Sequence, residues 1–265
     1  MGTTIEGPFQ LTAPCYPRGV LFGEVAEPKQ TIFEQSATQQ YELGTQLWYP
    51  DGRKFRYAYN GGVALTKAYM TCSATNTANC VAEAQGTSGT SVEVGDQEIV
   101  IDVTNASGIT DDLYAQGVLV VESSTGIGDI YKILACKLLT TTTARLLLET
   151  PIRTAWAAGT TITLLRNRWK EVVVYPTTAT QPATGIPLIA VDINYYCWLQ
   201  TAGDAPCYVD TGDTIVLGEP VGKPGTHAVA GACGAVGSGP TDELWGTVRL
   251  ATAADSVAVI NLRLD

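Results

Sequence analysis

Residues 43–65 constrain the fold more than any other segment of the chain, because their turn residues and their side-chain alternation predict the same structure. Two short runs typical of β-strands, 46–49 and 54–60, flank the tetrapeptide Pro50-Asp51-Gly52-Arg53. Proline presets φ at a turn, and glycine accepts the positive φ that a tight hairpin turn requires. The segment is therefore predicted to form a β-hairpin.

The second predicted strand of this hairpin has two unlike faces. Phe55, Tyr57 and Tyr59 occupy alternate positions, and Lys54 and Arg56 lie between them. Successive side chains of a strand point to opposite faces, so this alternation indicates a half-buried strand. We expect the aromatic face to pack against a core and the basic face to meet solvent.

The composition favours an all-β protein. The chain has 265 residues, of which 27 are glycine and 13 are proline, and this supply of turn residues suits short strands joined by tight turns. Its formal net charge of −10 includes no cluster of lysine or arginine, which disfavours binding to nucleic acid. We find neither a secretory signal nor an apolar stretch long enough to span a membrane, and we expect a protein made in, and soluble in, a cytoplasm.

The 7 cysteines are not arranged as a metal site. Their spacing is irregular, no C-x-x-C pair occurs, and the chain has a single histidine, so we predict no metal and no cofactor. Free, partly buried thiols are the simplest interpretation. Two local disulfides, Cys72–Cys80 and Cys197–Cys207, are the alternatives.

Side-chain patterns divide the chain into four regions. Residues 1–43 contain four prolines and little periodicity, which predicts an extended N-terminal arm that lies on another surface. Residues 44–90 contain the hairpin and a crossing segment, which we expect to pack with the C-terminal domain. Residues 91–175 alternate over about six short strands, as in a small β-barrel or sandwich. Residues 176–265 are predicted to form a second β domain.

This last region is predicted to begin with a linker, 176–185, that is rich in threonine, alanine and proline. Apolar runs bounded by turn residues then mark a series of short strands. The predicted strands are 188–191, 195–201, 205–209, 214–217, 227–233, 244–250 and 257–264.

Two residues are the candidates for catalytic chemistry. Asp210 opens the Asp-Thr-Gly tripeptide of aspartic proteases, which need two such carboxylates, but the chain has one copy and it continues into Asp213 as ordinary turn sequence. His227 lies among small residues, and the sequence marks no partner nucleophile. We therefore expect no enzymatic activity, and a β-fold hydrolase that uses Asp210 and His227 is the minor alternative.

The 5 tryptophans allow a second alternative, a carbohydrate-binding module. Such a module would place several of them on one exposed face as a platform for sugar rings. Because most of them lie in predicted strands, packing in a core or in a subunit interface is the favoured interpretation.

The hairpin residues resemble a pattern found in tailed-phage virion proteins that are encoded near the major capsid protein. The matching residues are Leu43-Gly44-Thr45, Asp51-Gly52-Arg53, Phe55-Arg56-Tyr57 and Gly61-Gly62-Val63-Ala64-Leu65.

The C-terminal region strengthens this resemblance. Its run Tyr195-Tyr196-Cys197-Trp198-Leu199-Gln200-Thr201-Ala202-Gly203, followed by Asp210 and Val216-Leu217-Gly218-Glu219-Pro220-Val221, is similar to the Y-x-W-V-Q…G…V-x-x-G-D-x-V run of phage head decoration proteins. Residues 126–133 are similar to a middle-domain segment of the longer members. The resemblance covers roughly residues 43–265, and it departs from the family at Cys197 and at Glu219, where aspartate is common.

This resemblance implies a structural virion protein that binds the outer surface of a phage capsid and cements neighbouring capsomers against internal pressure. It implies a C-terminal β domain of decoration-protein type, the major capsid protein as partner, and self-association as a homotrimer. The location it implies is the outer surface of the virion, after synthesis in the host cytoplasm. The alternative is a carbohydrate-binding module of a phage tail or fibre.

We expect the hairpin to act as a strand donor or docking edge, together with the N-terminal arm. The candidate residues for contact with the capsid or with a neighbouring subunit are Trp48, Asp51, Arg53, Phe55, Arg56, Tyr57 and Trp198.

Overall fold

The structure is a computed structural model that describes residues 29–76, 80–85, 91–103, 110–224, 228–236 and 243–265. Over these residues the chain is all-β, with 16 strands in two curled antiparallel sheets and no helix. The predicted fold class is therefore confirmed. None of the described segments is a helix with the length and apolarity needed to cross a membrane.

The smaller sheet has six strands in the order β4-β9-β6-β7-β8-β5. Side chains alternate along its strands, as in β8, where Leu146 and Leu148 are buried and Arg145 and Leu147 are exposed. The buried side chains form a core of their own under this sheet. In sheet order the strands are β4 (Glu83–Ala84), β9 (Thr161–Leu165), β6 (Val118–Val121), β7 (Ile130–Leu138), β8 (Thr143–Leu148) and β5 (Glu98–Asp102).

The larger sheet has ten strands, with the main order β10-β3-β11-β12-β16-β15-β13-β14 and the hairpin β1-β2 attached to β12. The long strand β12 pairs with β2 through residues 196–202 and with β16 through residues 202–208. In sheet order the strands are β10 (Val173–Val174), β3 (Thr71–Cys72), β11 (Ala183–Pro187), β12 (Tyr196–Tyr208), β16 (Val257–Arg263), β15 (Leu244–Leu250), β13 (Pro220–Gly222) and β14 (Gly234–Ala235). The hairpin strands are β1 (Gln46–Trp48) and β2 (Lys54–Tyr59).

The two sheets do not follow the predicted regions strand by strand. β4, from the predicted crossing segment, belongs to the smaller sheet, and β10, from the end of the predicted middle region, belongs to the larger one. The hairpin itself pairs with the C-terminal strand β12.

The prediction of two strands at 195–201 and 205–209 is wrong, because both belong to the single strand β12. Gly203 lies between the two predicted strands and has a positive φ of 82°. Continuous pairing with β16 across this position keeps the strand intact. A Cβ on Gly203 would lie 2.9 Å from the Cα of Arg53, so this glycine allows a close approach of the hairpin rather than a turn.

Two further predicted strands, 188–191 and 214–217, are also absent from the described strands, although Val191 forms an isolated bridge with Leu65. Part of the predicted linker is instead the strand β11, whose five residues are all buried between β3 and β12. Small residues and proline gave β11 the appearance of a linker.

The predicted strand at 227–233 is also wrong, because residues 228–233 belong to none of the described strands and Cys233 forms an isolated bridge with Val209. Residue 227 lies outside the described ranges.

The predicted hairpin is confirmed. Residues Gln46–Trp48 pair in register with Lys54–Arg56. In the turn, the Gly52 N–H donates to the Tyr49 carbonyl at 3.0 Å and the Tyr49 N–H donates to the Arg53 carbonyl at 2.9 Å. Gly52 has a φ of 90°, as the three-residue hairpin loop requires of its last position.

The six described cysteines are free and buried, so neither alternative disulfide, Cys72–Cys80 or Cys197–Cys207, forms. Cys15 lies outside the described residues. Burial raises the pKa of Cys72 and of Cys197 to about 12 and the pKa of Cys136 to about 11. These thiols are therefore protonated at neutral pH, and a protonated thiol is a poor nucleophile.

We predict that Gly52→Ala lowers the free energy of unfolding by about 1–2 kcal/mol, because a side chain with a Cβ disfavours positive φ. A Cβ at this position would meet no atom within 4 Å, so the loss reports the backbone conformation alone. Urea unfolding measures it. The control is Gly62→Ala, which also has open space and no positive φ; an equal loss in both variants would contradict the assigned turn.

We predict that Cys72, Cys136 and Cys197 stay unlabelled by iodoacetamide in the native chain at pH 8 and become labelled in urea. Burial and protonation both protect them in the folded state. Mass spectrometry of peptides resolves each site. Native labelling of these three cysteines at the unfolded rate would show that the core is not closed around them.

Candidate interaction surface

Among the residues that the structure describes, the outer strand of the hairpin, β1, pairs with β2 alone and presents an open edge on its other side. The residues that flank β1 have their backbone hydrogen bonds on the side of β2. The Thr45 carbonyl accepts from the Tyr57 N–H at 3.0 Å, and the Tyr49 N–H donates to the Arg53 carbonyl at 2.9 Å. Inward and outward backbone groups alternate along an antiparallel strand. The N–H and C=O groups of Gln46 and Trp48 therefore point away from β2, toward the outside of the sheet.

The tip of the hairpin carries side chains of three chemical types, of which Trp48 and Asp51 are exposed and Arg53 and Lys54 are partly buried. Trp48 is 46% exposed, and the Lys54 ammonium lies 5.0 Å from the centre of its ring. The Arg53 guanidinium pairs with the Asp51 carboxylate at 2.7 Å and lies 4.9 Å from the centre of the Tyr49 ring. A contact between a cation and an aromatic ring at an exposed site contributes about 0.5–1 kcal/mol, so the rings at the tip favour these positions of Lys54 and Arg53.

Three of the predicted contact residues lie inside the chain rather than on this surface. Phe55 and Tyr57 are 0% exposed and Trp198 is 1% exposed, within a cluster that also contains Leu47 and Leu43. Tyr57 and Trp198 meet edge to face, with ring centres 5.0 Å apart. We therefore reassign these three residues from contact with a partner to support of the hairpin from behind.

Residues 29–43, part of the predicted arm, cover this aromatic cluster from the other side. The Tyr57 hydroxyl donates to the Gln30 side-chain oxygen at 2.6 Å, and the Trp198 indole N–H donates to the Gln30 carbonyl at 3.0 Å. Ile32 is 4% exposed and packs in the same cluster. This part of the predicted arm therefore lies on its own chain, and residues 1–28 lie outside the described ranges.

The alternation of β2 predicted that Arg56 would face solvent. The structure instead places its guanidinium in contacts within the chain. Its guanidinium pairs with the Asp265 carboxylate at 2.7 Å and donates to the Gly44 carbonyl at 2.9 Å. The same group lies 5.1 Å from the centre of the Trp169 ring. The expected basic face is therefore occupied by contacts within the chain, and Arg56 anchors β2 instead of a partner.

The residues singled out for catalysis have structural surroundings where they are described. Asp210 is 0% exposed, and its carboxylate accepts the backbone N–H groups of Thr211, Ala228 and Val229 at 2.8–2.9 Å. It acts as a turn residue, in agreement with the favoured interpretation. His227 lies outside the described residues. Among the residues that the structure does describe, none form a group of three or more potential metal ligands.

The tryptophans do not form a shared exposed platform. Trp198 and Trp245 are buried, Trp156 and Trp169 are partly buried, and Trp48 alone of the five is exposed. The arrangement that the carbohydrate-binding alternative required of them is therefore not present. Core packing, which the sequence favoured for most of these residues, accounts for Trp198 and Trp245.

The candidate surface thus consists of Trp48, Asp51, Arg53 and the open edge of β1. The sequence did not mark Gln46 and Lys54 as candidate contact residues. The shortness of the first strand before Pro50 was a signal that this strand lies at the edge of a sheet. Comparison of the chain with family models, with curated proteins and with solved structures found no match.

We predict that Asp265→Asn lowers the free energy of unfolding by about 1–2 kcal/mol at pH 7, since a hydrogen-bonded charge pair is lost. Burial by itself raises the pKa of Asp265, but hydrogen bonds from Arg56 and Thr201 and the charge of Arg56 lower this pKa overall. A lowered folded pKa stabilises the fold above the unfolded value of about 3.9, and this contribution disappears as pH falls through the folded pKa. The difference between wild type and variant should therefore shrink from pH 6 toward pH 3.

The matched control for this prediction is Glu98→Gln, which removes an exposed ion pair with Arg145. Such a pair contributes about 0–1 kcal/mol. Urea unfolding at several pH values compares the two variants. A loss at Asp265 that stays constant down to pH 3 would show that its charge does not stabilise the fold.

Proposed function

We propose that this chain is a structural virion protein that binds the outer surface of a phage capsid and cements neighbouring capsomers. Its partners in this proposal are the major capsid protein and further copies of itself, assembled as a homotrimer. Its place is the outside of the mature particle. It acts by adhesion, without turnover of a substrate.

The observation that carries the proposal is the open edge of β1 beside an exposed, ordered hairpin tip. An extended segment of another protein can add to such an edge as one more strand, through main-chain hydrogen bonds. Gln46 and Trp48 provide the outward N–H and C=O groups, and Trp48 provides apolar area next to them. A strand from the capsid or from a neighbouring subunit has the geometry to fill this edge.

A capsid cement must transmit force without unfolding, and side-chain packing and an ion pair hold the hairpin in place. The aromatic cluster behind it and the Arg56–Asp265 pair tie β2 to β12 and to the end of the chain's last strand. Side chains packed on both faces of β2 oppose bending of the strand. Pulling on β1 would therefore load the whole ten-stranded sheet.

The charge of the chain and its sequence resemblance support the same proposal. A net charge of −10 suits the outer side of a shell, away from packaged DNA, because like charges repel. The hairpin motifs are similar to a pattern in tailed-phage virion proteins, and the C-terminal motifs are similar to those of phage head decoration proteins. A stable contact of this kind typically buries about 1,600 Å² in total, so we expect the tip and β1 to be one part of a larger interface.

We predict that Gln46→Pro abolishes binding to capsid shells or weakens it by tenfold or more. Proline removes the N–H that points to the open edge, and that N–H makes no bond to β2, so the fold of the hairpin is retained. Gln46→Thr keeps the N–H and suits a strand, and it should bind as wild type does. The measurement is cosedimentation of the chain with shells assembled from the major capsid protein that this proposal names as its partner.

Circular dichroism of both variants checks that the fold is unchanged. Equal binding by Gln46→Pro and Gln46→Thr would reject the edge of β1 as the contact. Failure of the wild-type chain to bind shells at all would reject the capsid function itself.

A further inference from the structure

A cleft of about 520 Å³ lies where the two sheets meet. One wall comes from the smaller sheet, through residues 110–116 and β7, and the other comes from β2, from the start of β12 and from residues 39–43. We call it the inter-sheet cleft. Its lining includes Gln39, Tyr59, Asp111, Gln116, Lys170 and Tyr196. The volume is within the range typical of ligand sites, about 300–1,000 Å³.

The backbone of this cleft is held in an unfavourable conformation at three places. Asp112, Gln116 and Glu171 line the cleft with φ values of 61°, 64° and 56°, in the left-handed region that residues with a Cβ seldom adopt. Hydrogen bonds to β7 hold two of them: the Asp112 N–H donates to the Cys136 carbonyl at 2.6 Å and the Gln116 N–H donates to the Ile133 carbonyl at 2.8 Å. Such conformations are concentrated at functional sites, where surrounding structure holds them.

Two tyrosine rings form the apolar part of the cleft. Tyr59 and Tyr196 are partly buried, and their ring centres lie 4.7 Å apart with a tilt of 45°. The Tyr59 hydroxyl donates to the Asn194 side-chain oxygen at 3.2 Å, which fixes this ring. An aromatic pair of this kind offers an apolar face beside a polar rim.

Two amides form the neutral polar part. The Gln39 side-chain nitrogen donates to the Gln116 side-chain oxygen at 3.3 Å, and the Gln116 oxygen also accepts the Leu43 N–H at 2.7 Å. The Gln39 nitrogen also donates to the Tyr41 carbonyl at 2.8 Å, and the Gln116 nitrogen donates to the Gln39 oxygen at 3.4 Å. Since an amide has two N–H donors and two acceptor positions, one acceptor position on Gln39 and one donor on Gln116 are left for a ligand. Hydroxyl groups, which donate and accept, match this set.

The charged groups of the cleft have mixed signs. Asp111 and Asp112 bring carboxylates, Glu171 is paired with Arg166 at 2.5 Å, and the Lys170 ammonium donates to the Asp112 carbonyl. A strongly charged ligand of either sign would meet a like charge there. A neutral ligand rich in hydroxyls would not.

We propose that the inter-sheet cleft binds a neutral oligosaccharide. A sugar ring lies against the Tyr59–Tyr196 pair, and its hydroxyls bond to Gln39, Gln116 and Asp111. Among the described residues, no tryptophan and no residue of β1 lines this cleft, and the proposal stands whether or not the chain binds a capsid.

The test uses the full chain and a panel of di- and trisaccharides built from glucose, galactose, mannose and N-acetylglucosamine, with sialyllactose and heparin fragments as anionic probes. Saturation-transfer NMR detects binding, and titration calorimetry gives the Kd. We expect at least one neutral probe to bind with a Kd below about 1 mM, and Tyr59→Ala to weaken it by about tenfold or more. The matched control is Tyr69→Ala, since Tyr69 stacks on Tyr208 outside the cleft.

Gln39→Ala keeps the test valid if Tyr59→Ala fails to fold, because Gln39 is exposed and its loss should weaken binding by about two- to tenfold. Three results would overturn the proposal: no neutral probe binds at about 10 mM, only the anionic probes bind, or the cleft variants Tyr59→Ala and Gln39→Ala bind as the control Tyr69→Ala does.

Discussion

The arrangement of the larger sheet depends on the pairing of one long strand, β12. Buried backbone N–H and C=O groups must find partners, and β12 has 13 residues, most of them buried. It meets this requirement with β2 along its first part and with β16 along its second part. The hairpin near the start of the chain and the last strand are therefore fixed to the same element. Their side chains then meet, as Arg56 and Asp265 do.

Burial of the aromatic cluster decides what the hairpin can present to a partner. β12 brings Trp198 to one side of Phe55 and Tyr57, and residues 29–43 bring Gln30 and Ile32 to the other. Removing the apolar surface of these side chains from water stabilises the fold, so they are buried. What is left outside is the backbone edge of β1 and the tip around Trp48. The candidate surface is therefore a consequence of the core that supports it.

The two sheets have separate cores and meet through polar contacts. The core of the smaller sheet shares no residue with the clusters of the larger sheet. Between them, Gln116 accepts the Leu43 N–H at 2.7 Å, and the Asn167 side chain donates to the carbonyls of Gln116 at 2.9 Å and Leu43 at 3.3 Å. Contacts of this kind leave room for solvent at the junction, and the inter-sheet cleft lies there. Its left-handed residues belong to the loops that make the junction.

The sequence by itself determined the structure where the cause is local. Turn chemistry at Pro50-Asp51-Gly52 and a period of two gave the hairpin, and alternation placed the strands at 244–250 and 257–263. Only the tertiary structure decided that Gly203 lies within β12, that β11 is a buried strand, and that Phe55, Tyr57 and Trp198 face inward. These outcomes depend on which distant segments cover a strand. Arg56 and Asp265 are 209 residues apart, and no local pattern in the sequence records such a pairing.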